Sequence, residues 1–327
     1  MIEGERQGGR LRRTAVVPEA LAGLRTDRAL ARLFPDLSRT RLRAWLEAGL
    51  VRLDGRSPRP RDPVRGGEHV VLDVVLAPVA EDRPEPIPLR IVHEDETLIV
   101  LDKPPGLVVH PAAGNPAGTL VNALLHHDAA LAALPRAGIV HRLDKDTSGL
   151  MVVARTPAAH KALVAALARR EVMREYEAVV RGVMTAGGTV EAPIGRHPVR
   201  RQRQAVVPGG RPAVTHYRVM ERFRAHTRVR VRLETGRTHQ IRVHMAHIGH
   251  PVVGDPLYGG RPVLPRGATP ELAAALRGFR RQALHAVRLA LRHPATGEPC
   301  AWQAPLPADM AALVAVLRAD RDTGEGA

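Results

Sequence analysis

Ile139-Val140-His141-Arg142-Leu143-Asp144-Lys145-Asp146-Thr147-Ser148-Gly149-Leu150-Met151-Val152-Val153 is the stretch from which the rest of this chain can be read. Its ends are apolar and β-branched, so Ile139 and Val140 read as the end of one buried strand and Leu150 to Val153 as the start of another. Between them His141, Arg142, Asp144, Lys145, Asp146, Thr147 and Ser148 crowd onto one polar turn. A rigid apolar frame that lifts ionisable groups onto a loop is a common way to position reactive side chains. The plainer alternative is a turn whose Asp and Thr only cap backbone donors.

Working outward, Thr156 and Pro157 form an N-cap and first-turn proline for a helix to about Arg169. Arg174 to Val180 alternates as a strand with Tyr176, Ala178 and Val180 on one face. Strands follow at Ala213 to Met220 and Thr227 to Glu234, the latter with Arg228, Arg230 and Arg232 facing together. Thr235-Gly236-Arg237-Thr238 breaks that strand before a helix to Gly249; Leu284 to Leu291 is a strand and Pro307 to Ala319 a closing helix. Upstream, Leu89 to Val92 and Leu98 to Leu101 read as strands and Thr119 to His126 as a helix. Strands outnumber crossover helices and pair locally, which predicts an α+β domain with a largely antiparallel mixed sheet flanked by helices, over 89–320. Residues 321–327 are left as a tail.

Four prolines in 77–88 make an extended linker and a domain boundary. Before it, helical spacing of Leu30, Leu33 and Phe34 ends at Pro35. Ser38 is a candidate N-cap for a second helix that turns Leu42, Trp45 and Leu46 inward and closes at Gly49. Leu50 to Leu53 and His69 to Val75 read as short strands, with Asp54-Gly55 as a turn. This makes a small helix–strand module over 24–76. Residues 1–23, rich in Gly and Arg, are expected to be a mobile leader.

The chain has 327 residues, enough for two domains with their own cores. Its net charge of +16 points to a polyanionic partner, with nucleic acid as the default. Only Lys103, Lys145 and Lys161 are lysines, so the excess of positive charge is informative but the preference for Arg is not. Residues 25–76 alone carry eleven Arg against seven acids, with Arg39 and Arg43 on one helix face. Arg196 to Arg203 is a basic run with Pro198 and Gln202, expected as an exposed loop. Cys300 is the single cysteine, so no disulfide forms within one chain. With no signal-peptide pattern and no apolar run near 18 residues, the expectation is a cytoplasmic protein with no membrane partner. His239, His244, His247 and His250 lie in a segment without carboxylates and without an H-E-x-x-H pattern, so no metal site is expected there.

His141-Arg-Leu-Asp-Lys-Asp-Thr-Ser-Gly-Leu150 resembles the catalytic motif of the RluA-type RNA pseudouridine synthases, and the likeness runs from about Leu24 to about Asp320. It is nearest to the members that act on the large ribosomal subunit. The stretch SRTRLRAWLEAGLVRLDG from Ser38 to Gly55 resembles the small RNA-binding module of ribosomal small-subunit protein four. The resemblance implies an enzyme that isomerises uridine to pseudouridine in large-subunit ribosomal RNA, in the stem-loop that meets the decoding centre. It needs no cofactor, and a monomer is expected.

Residue by residue, the resemblance makes Asp144 the essential carboxylate, which is ionised at neutral pH and needs no base to act. It makes Arg237, within Gly236-Arg-Thr-His-Gln-Ile-Arg242, the basic partner of Asp144. Tyr176, within Arg-Glu-Tyr-Glu-Ala, would stack on the base and assist proton removal. Arg142 would fill the place of a flipped-out uridine. Arg39, Arg43, Arg196, Arg200, Arg201 and Arg203 are the remaining candidates for RNA contacts. Two other classes compete: a non-catalytic RNA-binding assembly factor with the same fold, and a nucleoside hydrolase using Asp144. An intact set of Asp, Tyr and Arg speaks against the first, and a separate RNA-binding module against the second.

Overall fold

Arg10–Val16 is a strand, although arginines at alternate positions mask its apolar side. A computed structural model describes residues 3–7, 10–35, 37, 39–75, 83–112, 114–200 and 202–324, in two compact units, Met1–Glu81 and Asp82–Ala327. The division falls within the Pro-rich segment, much of which lies outside the described residues.

In the first unit β1 (Glu3–Gln7), β2 (Arg10–Val16), β3 (Val51–Leu53) and β4 (His69–Val75) form an antiparallel sheet in the order β1-β2-β4-β3. Helices α1 (Thr26–Leu33) and α2 (Arg39–Glu47) contribute Leu30, Leu33, Leu42 and Leu46 to its core. Residues 10–23 are therefore not a mobile leader. Leu11, Ala15, Val17 and Leu21 are buried in the same core, and Arg10 clasps Asp73 at 2.6 and 2.7 Å. Leu11 and Ala15 are too few to show as a period-2 pattern among so many charges. The expected cap Ser38 lies outside the described residues.

The second unit is built on nine strands: β5 (Ile91–Glu94), β6 (Leu98–Lys103), β7 (Ser148–Ala154), β8 (Met173–Arg181), β9 (Gly188–Glu191), β12 (Val214–Arg222), β13 (His226–Leu233), β14 (Leu284–Arg292) and β15 (Pro299–Gln303). Their order is β5-β6-β7-β14-β8-β13-β12-β9, with β15 against β14. Only β7 and β14 pair in parallel; every other ladder of this sheet is antiparallel. A separate hairpin joins β10 (Ile194–Arg196) to β11 (Gln204–Val206). The helices are α3 (Leu120–His127), α4 (Pro157–Ala168), α5 (Gln240–His247), α6 (Pro270–Gly278) and α7 (Ala308–Gly324).

Strands β6 and β7 are buried on both faces, which explains their unbroken apolar runs. Ile99, Leu101, Met151 and Val153 join a large core with α3, α6 and α7, while Leu98, Val100, Leu150 and Val152 face α4. Helix α3 starts at a capping box in which Thr119 N–H donates to Asn122 Oδ1 at 2.9 Å. Helix α4 starts at Thr156, whose hydroxyl accepts from Ala159 N–H at 3.1 Å.

Ile139 and Val140 do not end a strand. Arg136, Ala137 and Gly138 have φ of 54°, 50° and 79°, a left-handed turn that leaves Ile139 a single bridge to Val153. At the other end of the polar turn, Gly149 has φ of 115° and lies against Ala286 of β14 so closely that a Cβ would overlap that backbone. Glycine is required there by both conformation and space.

Candidate active site

The polar turn between Ile139 and Ser148 is held on several sides. Lys103, fully buried at the end of β6, donates from Nζ to the carbonyls of Pro104, Leu107 and Lys145 at 2.8, 3.0 and 2.9 Å. Burial pushes its pKa down to about 7, against the pull of Asp146 and Asp144. Gly106 N–H also donates to Lys145 O, Arg281 donates to Asp146 O, and Gln282 donates to the Thr147 hydroxyl. His141 Nε2 accepts from Val152 N–H at 3.1 Å. A carboxylate on such a turn has little freedom to move, as a reacting group requires.

Asp144 lies in a cavity of about 520 Å³ whose walls include Arg142, Arg174, Tyr176, Arg237, His239 and Arg242. Its Oδ2 accepts from Arg242 Nη1 at 2.9 Å. Arg242 in turn donates from Nε and Nη2 to Asp255 at 2.6 and 2.9 Å, a two-point grip that fixes the plane of the guanidinium. The Arg242 side chain is 5% exposed and that of Asp255 0%. Burial acts to lower the Arg242 pKa, but Asp255 and Asp144 together raise it, so the group stays charged. Asp255 is itself held by the N–H groups of Leu257 and Tyr258. The Tyr258 ring lies 5.1 Å from the guanidinium carbon of Arg242.

The other carboxylate oxygen, Oδ1, accepts no hydrogen bond from the described residues; His239 Nε2 lies 3.9 Å from it. Tyr258 accepts from Gln204 N–H and contacts His239 Nδ1, both at 2.9 Å. If its own proton goes to Nδ1, the neutral imidazole keeps its hydrogen on Nε2, facing Asp144. Burial lowers the His239 pKa, opposed by Asp144.

The expected partner of Asp144 is therefore corrected. Arg237 donates from Nε to Pro212 O at 3.0 Å, and the ion pair with Asp144 belongs to Arg242, five residues later in the same motif. The two arginines are separated by a change of element. Arg237 lies in the turn after β13, while Arg242 is on α5 and points back to the cavity. Arg242, Asp255, Tyr258, His239 and Lys103 escaped the reading of the sequence. Of these Arg242 and His239 carried a usable signal, both lying within Gly236-Arg-Thr-His-Gln-Ile-Arg242.

Tyr176 lies in the same cavity as Asp144. It is buried on β8 and lines the cavity, and its hydroxyl has no hydrogen bond among the described residues. Burial raises its pKa, with Arg174 acting against that and Asp144 adding to it. Arg142 is exposed at the same cavity and has no ion pair among the described residues.

The other basic candidates stand apart. Arg39 donates to the buried Asp27 at 2.7 Å and Arg43 to Glu47 at 2.9 Å, so each already has an internal partner. Arg196 ends β10, and Arg200 and Arg203 lie in the loop that follows, with Arg196 and Arg200 exposed. Arg201 lies outside the described residues. The hairpin of β10 and β11 packs on α5 through Ile194, Val206 and Val243, which ties the basic loop to the helix carrying Arg242. The arginine face of β13 is largely neutralised: Arg228 and Arg230 bind Glu177 at 2.5 and 2.6 Å. The histidines near α5 have ordinary partners, with His244 on Thr215 and Ala192 and His250 on Arg181 O.

One cavity thus holds an anchored carboxylate with one oxygen free of hydrogen bonds, a buried tyrosine and several arginines, a combination suited to an anionic substrate. Residues 97–247 match the RNA pseudouridylate synthase family, and the chain belongs to that family. Among its relatives, the ribosomal large subunit pseudouridine synthase D of Xanthomonas campestris is 59% identical over 308 residues, covering 94% of this chain and 93% of the relative. The protein of the same name from Pseudomonas aeruginosa is 57% identical over 316 residues, covering 97% and 99%. Among solved structures, human RNA pseudouridylate synthase domain containing 4 aligns with a TM-score of 0.54 at 27% identity, covering 70% of this chain and 93% of that one.

Proposed function

We propose that this protein converts specific uridines of large-subunit ribosomal RNA to pseudouridine, with Asp144 as the group that acts on the ribose. The observation that carries the reading is the Asp144 carboxylate, gripped at Oδ2 by Arg242 and open at Oδ1 to the cavity. The near full-length likeness to ribosomal large-subunit synthases supports the choice of RNA. Within that RNA, the stem-loop that meets the decoding centre is the proposed target.

The reaction breaks the bond between ribose carbon 1′ and uracil nitrogen 1, turns the base, and joins carbon 5 to the same ribose carbon. The hydrogen on carbon 5 is lost and nitrogen 1 gains one, so nothing is consumed. Asp144 serves by one of two routes: Oδ1 attacks carbon 1′ to give a glycosyl ester, as in a retaining glycosidase, or it removes the proton from carbon 2′ to leave a glycal. In either route Arg242 holds the carboxylate in place through its charge-assisted hydrogen bond. Tyr176 stacks on the base and takes part in moving the proton from carbon 5. Arg142, at the cavity and unpaired, occupies the helix position that the flipped uridine leaves.

The same reading makes the chain a cytoplasmic monomer that works without cofactor or metal, its first unit and the 197–203 loop adding phosphate contacts. Among the described residues no helix is long and apolar enough to cross a membrane. Mapping pseudouridines in large-subunit ribosomal RNA, incubated with and without the protein, tests the proposal. New pseudouridine at a small, reproducible set of positions is expected, and none at all would refute it.

A further inference from the structure

Arg174 is only 8% exposed, yet it has neither an ion pair nor a hydrogen bond among the described residues, and its Nε is buried without a partner. An unpaired buried charge is costly and persists only where something offsets it. The other deeply buried arginine, Arg242, shows the usual solution, with two carboxylates around it.

Acids are close in sequence, but the pleat of β8 sends them away. Glu175 and Glu177 flank Tyr176 on the opposite face, where Arg228 and Arg230 engage them. Arg174 shares its face with Tyr176 and borders the Asp144 cavity. Gly236 makes room for it: a Cβ there would come within 2.9 Å of Arg174 Nη1. Of the two acids in the cavity wall, Glu234 is engaged by Arg170 and His216 and Asp144 by Arg242 at one oxygen, and neither forms an ion pair with Arg174.

Two more unsatisfied nitrogens border the same cavity, His110 Nε2 and His141 Nδ1. Because His141 Nε2 accepts from Val152 N–H, the hydrogen of its neutral ring sits on Nδ1, so this too is a donor without an acceptor. A buried cation and an idle donor beside one cavity describe a site that awaits an anion.

We propose that Arg174 binds a phosphodiester of the RNA next to the target uridine, locking the flipped nucleotide over Asp144. The assignment rests on the reading of the chain as a uridine-modifying enzyme only for the identity of the anion. The anion site itself follows from the unpaired guanidinium. Arg174 is thus a binding residue whose charge is balanced only when substrate is in place.

The test compares the full-length wild type with Arg174→Gln and Arg174→Lys. In phosphate-free buffer Arg174→Gln should be at least as stable as wild type, because it removes an unpaired charge. Sodium phosphate at constant ionic strength should raise the melting temperature of wild type and of Arg174→Lys but not of Arg174→Gln. In single-turnover pseudouridine formation on large-subunit RNA, Arg174→Gln should need at least tenfold more RNA for half-maximal rate. A neutral methylphosphonate on one side of the mapped uridine should impose the same loss on wild type and add nothing to Arg174→Gln.

A phosphate response retained in Arg174→Gln, a large loss of its stability in phosphate-free buffer, or methylphosphonate losses that add in full to the substitution would each overturn the proposal. Wild type that forms no pseudouridine on any RNA, yet loses its phosphate response on Arg174→Gln, would instead refute the functional reading and keep the anion site.

Discussion

Arg242 joins Asp144 through a single hydrogen bond of 2.9 Å, while its other edge is committed to Asp255 at 2.6 and 2.9 Å. The arrangement is asymmetric in a useful way. Asp255 holds the guanidinium at two points that do not involve Asp144, so the arginine is fixed independently of that carboxylate. One carboxylate is bound at both oxygens and the other at one only.

Replacing Arg242 with Lys should therefore cost far more activity than replacing Arg237 with Ala. Lysine keeps a charge but cannot grip Asp255 at two points and reach Asp144 as well. We expect a loss of roughly a thousandfold in single-turnover rate, equivalent to about 4 kcal/mol. Arg237→Ala, whose Nε only meets Pro212 O, should lose about tenfold or less, mostly in RNA affinity. Rates and affinities measured on both variants decide the matter, and a reversed order would return the role to Arg237.

Acid should destabilise the second unit before its carboxylates titrate. Burial pushes His141 down to about 3 and His226 down to about 4, with Arg174 and Arg181 adding to the effect and Asp320 opposing it at His226. Their rings stay neutral in the folded state, whereas the unfolded chain takes up protons near pH 6.5. Stability is thus whole above about pH 6.5 and declines as pH falls toward 4, by at most ~1.4 kcal/mol per pH unit for each ring. Asp95, held down at about 2 against its burial by His93, Leu98 and Thr97, adds a loss only below about pH 4. Melting curves from pH 8 to 4 should show a plateau and then a fall, shallower in His226→Gln. A flat curve down to pH 4.5 would contradict this.

How much of this was legible in the sequence depended on the kind of signal. Doubly buried strands such as β6 and β7 announced themselves by apolar runs, and α4 by its Thr-Pro start. Residues 10–16 did not, because only Leu11 and Ala15 of this strand are buried, among Arg10, Arg12, Arg13 and Thr14. Ile139 misled because burial is visible in sequence but the left-handed turn at Arg136–Gly138 is not. The turn bearing Asp144 was readable because its residues are contiguous. Its partners were not, since Asp255, Tyr258 and Lys103 meet it only through the fold, and choosing Arg242 over Arg237 required knowing where the strand stops and α5 begins.

The central claim is that Asp144 acts on the ribose. Asn is nearly isosteric with Asp, and the turn is held by Lys103, Arg281, Gln282 and the ring of His141, none of which hydrogen-bonds to the carboxylate. Asp146 still supports the Lys103 charge when Asp144 is replaced, so pseudouridine formation on large-subunit ribosomal RNA should be measured for Asp144→Asn, with RNA affinity and thermal unfolding on the same preparation. The expected result is a fall of several orders of magnitude in rate, with binding and folding retained. A folded Asn variant that still forms pseudouridine at the wild-type rate would contradict the assignment.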